Sequence, residues 1–345
     1  MGDTSESSNL EDPYGLLKIM RSTSEMGATS ESSNLEDPYD LLKNIRSIPI
    51  PNLPPQAEVQ QPYYVLSKDI SLNPSNNTWI RIFRPQILTP MAPLPIIIYF
   101  HGGGFVIFSA ASALFHVACE HIASLVPAIV LSVEYRLAPE HPLPAAYDDA
   151  IEAVCWVRDQ AISDLHRDTW MVPDLADFSR CFLTGSSAGS NIVYHVALRA
   201  LDLDPPFKIA GAIVNQPFFG GVQRTESELR LAQDRILPLH SNDLMWRLSL
   251  PAGADRDHEF CNPMTPGSYH DRVGSLPPCL VKGYGGDPLV DRQRAFVKML
   301  EDRGVRAVGQ FEEEGSHGVE FFDPKKAQDL FTDIRDFILS VSSGL

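Results

Sequence analysis

The sequence predicts an α/β protein: a mostly parallel eight-stranded sheet with helices on both faces and a helical cap. Short apolar runs alternate with helix-patterned segments, as a parallel sheet with crossover helices requires. Two of those runs end in glycine-rich turns, and the chain finishes on a long amphipathic segment. The strands fall near residues 63–69, 78–84, 95–100, 128–133, 180–184, 209–214, 279–284 and 307–311. Pro95-Ile96-Ile97-Ile98-Tyr99-Phe100 and Arg180-Cys181-Phe182-Leu183-Thr184 are near-continuous apolar runs, the pattern of strands covered on both faces. Residues 144–160 read as a helix with Ile151, Val154, Cys155 and Val157 as its apolar stripe, and 188–201 as another. Residues 324–341 make a 3.6-period face of Ala327, Leu330, Phe331, Ile334, Phe337, Ile338 and Val341. The stretch 218–278 is too long for a simple connection. With helix candidates at 226–233 and 241–250, it reads as a cap insertion.

Gly185-Ser186-Ser187-Ala188-Gly189 matches G-x-S-x-G, which sets a serine on a sharp strand-to-helix turn. Glycine is expected at 185 and 189 because the turn crowds backbone against helix and leaves no room for a β-carbon. His101-Gly102-Gly103-Gly104-Phe105 follows an earlier strand and matches the HGGG run whose N–H groups meet an oxyanion. Either motif alone is weak; together they point to the α/β-hydrolase fold and to nucleophilic serine chemistry. In that fold the triad runs serine, acid, histidine along the chain. Asp287 ends the strand near 279–284, and one histidine, His317, follows it. The expected triad is therefore Ser187, Asp287 and His317, with Asp291, in the first turn of the next helix, as the rival acid. His195, on the helix after the elbow, is expected to point away from the serine. A neutral imidazole titrates in the range needed to take the serine proton, and the aspartate holds its tautomer. The N–H groups of Gly103, Gly104 and Ala188 form the expected oxyanion hole, each donor being worth roughly 3–4 kcal/mol of barrier.

On these motifs the chain resembles the plant carboxylesterases of the hormone-sensitive lipase type, and most of all the plant carboxylesterase 1 group. The resemblance spans about residues 60–343 and includes Glu134-Tyr135-Arg136-Leu137-Ala138-Pro139-Glu140-His141, Pro144-Ala145-Ala146-Tyr147-Asp148-Asp149 and Glu226-Ser227-Glu228-Leu229-Arg230-Leu231. It continues through Asp255-Arg256-Asp257-His258-Glu259 and Asp287-Pro288-Leu289-Val290-Asp291. It implies hydrolysis of small carboxylic esters through an acyl-serine, a cap built partly from the N-terminal segment, and the same triad. Two positions depart from the family pattern: Ser186, where relatives usually carry an acidic residue, and Val319-Glu320 after the histidine. Two other readings stay open. The family also includes a dehydratase and alkaloid-forming cyclases, for which the histidine base and oxyanion hole would serve elimination. It further resembles the gibberellin receptor of plants, which has lost the triad histidine and altered the oxyanion motif; His317 and Gly104 are both present here.

The 345 residues are 44% hydrophobic and 21% charged, the composition of a globular chain. A net charge of −16 argues against nucleic-acid partners and against anionic membranes. A polar, acidic start and the absence of a long apolar run lead to the expectation of a cytoplasmic protein, a monomer or weak dimer, with no membrane partner. Five cysteines, 119, 155, 181, 261 and 279, show no pair spacing and read as reduced thiols. Neither cofactor nor metal is called for: Asp148, Asp149, Asp255, Asp257 and Glu259 match no ligand spacing.

Residues 4–22 and 29–47 are a near-perfect repeat, differing at Gly15/Asp40, Ile19/Asn44 and Met20/Ile45. Two copies cannot stack into a solenoid, so a recent duplication is the simple reading. The copy joined to the body through Pro49, Pro51, Pro54 and Pro55 is expected to dock as cap, together with 218–278, leaving 1–28 as a mobile tail. His101 is expected to order the glycine loop, and Glu312-Glu313-Glu314 to be a solvated loop face. The expected substrate pocket is Phe105, Val106, Phe219 and Trp246, with Phe108, Phe218 and Met245 as further candidates. Phe105, Phe108 and Phe219 would favour short acyl chains.

Overall fold

A computed structural model describes residues 42, 43, 46, 47, 49–58, 64–86 and 92–343. Among them eight strands form one sheet: β1 (Val65–Asn73), β2 (Thr78–Pro85), β3 (Leu94–Phe100), β4 (Ile129–Glu134), β5 (Ala176–Ser186), β6 (Gly211–Asn215), β7 (Cys279–Gly286) and β8 (Ala307–Ser316). Their order across the sheet is β1-β2-β4-β3-β5-β6-β7-β8. β2 runs antiparallel to both neighbours, and every other pairing is parallel. The helices are α1 (Ala113–Leu125), α2 (Ala145–Ile162), α3 (Ala188–Ala200), α4 (Glu226–Arg230), α5 (Leu239–Ser249), α6 (Val290–Asp302) and α7 (Pro324–Ser342).

The apolar runs are continuous because the sheet is covered on both faces. Along β3, Ile96, Ile98 and Phe100 enter the core shared with α2, α3 and α6, while Ile97 and Tyr99 enter the core shared with α1 and α7. Helix α7 starts where the sequence says it should. The Asp323 carboxylate accepts from the backbone N–H groups of Lys325 and Lys326, and Pro324 takes the first helical position. Leu330, Phe331, Ile334, Phe337 and Ile338 are its buried face, the stripe read from the sequence.

The region 218–278 carries α4, α5 and a 3₁₀ turn, His270–Ser275. A capping box between Thr225 and Glu228 starts α4, which stops at Arg230, short of 233. β8 departs from expectation. It runs to Ser316 rather than ending near 311, because β7 pairs with it along that whole length. Glu312 therefore lies within a strand and its carboxylate pairs with Lys282 and Lys326, whereas Glu313 and Glu314 are exposed. Of the repeat, the first copy, and all of the second except residues 42, 43, 46 and 47, lie outside the described residues. Leu42, from the second, is buried in the core cluster that holds Phe105, Val106 and Ile107. Arg46 donates to the carbonyls of Val106 (2.9 Å) and Ala138 (2.6 Å) and pairs with Glu140.

Truncating Ile334, 2% exposed on α7, to alanine is expected to cost about 2–5 kcal/mol in urea unfolding. Leu339→Ala on the same helix, 57% exposed, should stay within about 0.5 kcal/mol. Equal losses would show that this face is not the one the core depends on.

Candidate active site

Parallel strands bring their C-terminal ends to one edge, and the site is built there. β5 ends at Ser186, α3 begins at Ala188, and Ser187 stands between them at φ 56°, ψ −117°. This backbone is strained for a residue with a side chain. It is held by the Ser187 N–H to the Asn215 carbonyl (3.0 Å) and the Phe218 N–H to the Ser187 carbonyl (3.0 Å). The elbow closes only because a β-carbon at Gly189 would fall on the carbonyl of Phe100, and one at Gly185 on the backbone of Gly189.

β7 and β8 supply the other two predicted residues, through a bulge. Tyr284 lies opposite Glu312, but Gly286 lies opposite Ser316, so β8 advances four residues while β7 advances two. An unbroken register would have left His317 two residues past Asp287; the bulge sets them side by side. His317 Nδ1 donates to Asp287 Oδ2 (2.9 Å), and its Nε2 accepts from Ser187 Oγ (2.9 Å). Asp287 is fully buried and also accepts from the Leu289 N–H (2.9 Å) and Gln293 Nε2 (2.8 Å). Asp291 faces elsewhere: it accepts from the Ser227 N–H (2.8 Å) and ties α4 to α6. Burial pulls the His317 imidazole toward the neutral form. The charge and hydrogen bond of Asp287, then the charges of Glu320 and Asp234, outweigh it and leave the pKa above the usual histidine value.

The glycine loop lies beside the elbow because Phe100 pairs with Gly185. His101 does not enter the proton line. Its Nδ1 donates to the Gly102 carbonyl (2.7 Å), its ring stacks on Tyr135, and burial lowers its pKa to about 4. Gly104, at φ +59°, has no space for a side chain, since a β-carbon would collide with the Met245 thioether. His195 packs against Tyr147 and Phe260, and burial, first among several causes, lowers it to about 3.

A cavity of about 60 Å³ opens in front of Ser187, His317 and Gly102, Gly103 and Gly104. Its apolar wall keeps the further candidates Phe108, Phe218 and Met245 and corrects the rest of the pocket read from sequence. Phe105, Val106, Phe219 and Trp246 do not line it; Phe108, Phe218, Met245, Phe321 and Phe322 do, with Ile236 and Leu237. Phe105 turns away to pack on Tyr147, Phe218 and Trp246; Trp246 stacks on Phe218 from behind; Phe219 packs on Tyr194 and Phe296. Val106 is buried in the same core. A larger cavity, about 390 Å³, lies behind the elbow between α1 and α7. There Ser186 meets Glu320 (Oγ to Oε1, 2.8 Å). Nothing in the spacing of the sequence signals that contact.

Residues 97–321 match the family described as α/β hydrolase fold. The chain is 51% identical over 299 residues to "Probable carboxylesterase 8" of Arabidopsis thaliana, covering 85% of this chain and 88% of that one. The chain belongs to the α/β hydrolases, among the plant carboxylesterases. It is also 50% identical over 280 residues to a 3-O-acetylpapaveroxine carboxylesterase of Papaver somniferum, covering 79% of this chain and 90% of the relative. A crystal structure of an esterase from Pyrobaculum calidifontis superimposes with a TM-score of 0.69 at 25% identity, over 94% of this chain and 91% of that one. Among the described residues no helix is long and apolar enough to cross a membrane.

These environments predict three different histidine titrations by NMR of ¹⁵N-histidine-labelled protein. His317 should titrate above the ordinary value of about 6.5, His101 near 4 and His195 near 3. A His317 midpoint below the ordinary value would mean that burial outweighs the surrounding carboxylates.

Proposed function

We propose that the protein hydrolyses small carboxylic esters through Ser187, His317 and Asp287, with the N–H groups of Gly103, Gly104 and Ala188 as the oxyanion hole. The observation that carries this reading is the continuous line Ser187 Oγ–His317–Asp287, with 2.9 Å at each link. As Ser187 Oγ attacks the ester carbonyl carbon, His317 Nε2 takes its proton and Asp287 stabilises the imidazolium. The tetrahedral oxyanion meets the loop and elbow N–H groups. Collapse breaks the C–O bond to the alcohol, which leaves with the proton from His317. Water then adds to the acyl-serine by the same route, its proton passing to His317 and back to Ser187 as the carboxylic acid departs.

The small chamber, closed by Phe108, Phe218, Phe321 and Phe322, supports short acyl groups, with Phe108 in the part expected of it but Phe105 and Phe219 elsewhere. The Papaver somniferum relative is named for an acetylated compound, in line with that preference. We extend the reading to the cap: residues 218–278 and the described residues of the 29–55 segment close over the serine, with Leu42 as one anchor and Arg46, bonded beside the oxyanion loop, as another.

Ser187→Ala should lower turnover of p-nitrophenyl acetate about 10⁴–10⁶-fold without unfolding the chain, and a fluorophosphonate should label Ser187 alone; mass spectra with label elsewhere would sink the assignment. Asp287→Asn should cost at least about tenfold more activity than Asp291→Asn, because it alone frees the wrong imidazole tautomer.

Deleting residues 1–27 should leave rate and melting temperature nearly unchanged. Deleting through Ser47 removes Leu42, worth roughly 1.5–3 kcal/mol if fully buried, and should raise KM. An unchanged KM would exclude this segment from the cap.

A further inference from the structure

Glu320 lies in the 3₁₀ turn Val319–Phe321, just past His317. Its carboxylate is gripped from three sides. Oε1 accepts from Ser186 Oγ (2.8 Å) and Asn215 Nδ2 (2.7 Å), and Oε2 from Gln216 Nε2 (2.8 Å). Gln216 Oε1 in turn accepts the Gly318 N–H (2.6 Å). Ser186 adjoins the nucleophile, Asn215 ends β6 and Gln216 follows it, and Gly318 adjoins His317. The network thus joins the two segments whose separation sets the Ser187–His317 hydrogen bond. Hydrogen bonds to an ionised acceptor are roughly twice as strong as neutral ones, so the carboxylate suits this joint better than an amide would.

Glu320 lines the cavity behind the elbow and not the chamber in front of Ser187, so it stands outside the space open to an ester. All three donors to it are neutral side chains, which leaves its charge to act on its surroundings. We propose that Glu320 is a positioning residue for the ester hydrolysis: an anionic clamp that holds the His317 loop against the nucleophile elbow and stabilises the imidazolium formed when Ser187 gives up its proton. The proposal rests on the triad reading above.

The charged and titratable groups that bear on this joint are few. Asp287 bonds to His317, and Asp234 and Glu320 act on it through space. Tyr99 and Tyr284 feel the Glu320 charge, although burial is the larger cause of their raised pKa values. His121 and Asp323 line the same cavity. A negative charge near His317 favours the imidazolium, so it raises the pH at which the free base becomes available. Removing it moves the acid limb of activity downward while slowing the step that makes the imidazolium.

The test compares full-length wild type with Glu320→Gln, which keeps the shape, and Glu320→Ala, which does not. Two readouts are taken across pH: the rate of fluorophosphonate labelling of Ser187, and kcat and KM on p-nitrophenyl acetate. For Glu320→Gln the acid limb should move down by roughly half a unit, a fraction of the effect of a directly bonded charge. Its kcat should fall about tenfold with KM within about twofold, and Glu320→Ala should lose about 100-fold in kcat, the scale of a small misplacement of reacting groups. If Glu320→Ala does not fold, the isosteric variant carries the test. A lower melting temperature with unmoved acid limb and unmoved kcat would overturn the proposal. Failure of wild-type Ser187 to label at all would instead overturn the triad reading on which it stands.

Discussion

The register between β7 and β8 is the constraint on which the site depends. A strand pair is normally a rigid ruler, and shifting it by one residue turns every side chain to the other face. Here the ruler is broken once, beyond Tyr284, and the break sets Asp287 and His317 at equal height. The remaining registers then fall into use. Phe100 opposite Gly185 carries the glycine loop to the elbow, and Ser186 opposite Asn215 carries Ser187 toward the end of β6. Six parallel strands deliver four functional loops to one edge without any loop having to fold back over the sheet.

Electrostatics refine what the registers place. A fully buried Asp287 would be costly as an anion if left bare. Three donors meet it: the Leu289 N–H, the Gln293 amide and the His317 imidazole. Those three bonds satisfy the buried carboxylate beside the His317 ring. His101 and His195, equally buried but without a carboxylate partner, go the opposite way and stay neutral. Burial alone therefore does not decide which way a histidine's pKa moves; the partner does.

Much of this was legible from residue order alone. Each of the eight strands lies where an apolar run marked it, and α7 follows its 3.6-residue stripe, because both signals arise from burial against a neighbouring layer. The three residues of the proton line were found by chain order, since strand ends are where a parallel sheet exposes side chains. The pocket was legible only in part: Phe108, Phe218 and Met245 line it, whereas Phe105, Val106, Phe219 and Trp246 do not. Phe105 and Phe108 are three positions apart on one turn, and sequence gives no means of knowing that one faces the core and the other the chamber. Both have positive φ, so the loop follows neither helix nor strand periodicity. Likewise β8 could not be extended past 311 from pattern, because Glu312, Glu313 and Glu314 look solvated; pairing of Glu312 with Lys282 and Lys326 comes only with the tertiary fold.

The strain at Ser187 shows how the rest of the elbow is used. A side-chain-bearing residue at φ 56° costs on the order of 1–3 kcal/mol. A satisfied hydrogen bond contributes about 0.5–1.5 kcal/mol net. Three are concentrated here: the N–H and carbonyl of Ser187 with Asn215 and Phe218, and the single Ser190 hydroxyl proton, bifurcated between the carbonyls of Gly185 (2.6 Å) and Asn215 (2.8 Å). Their sum is of the order needed to hold the turn. Asn215 is thus tied by its carbonyl to both Ser187 and Ser190, and by its side chain to Ser186 and Glu320. The end of β6, which contributes no atom to the proton line, is the point where elbow and histidine loop are braced against each other. A change there would reach Ser187 from two directions at once.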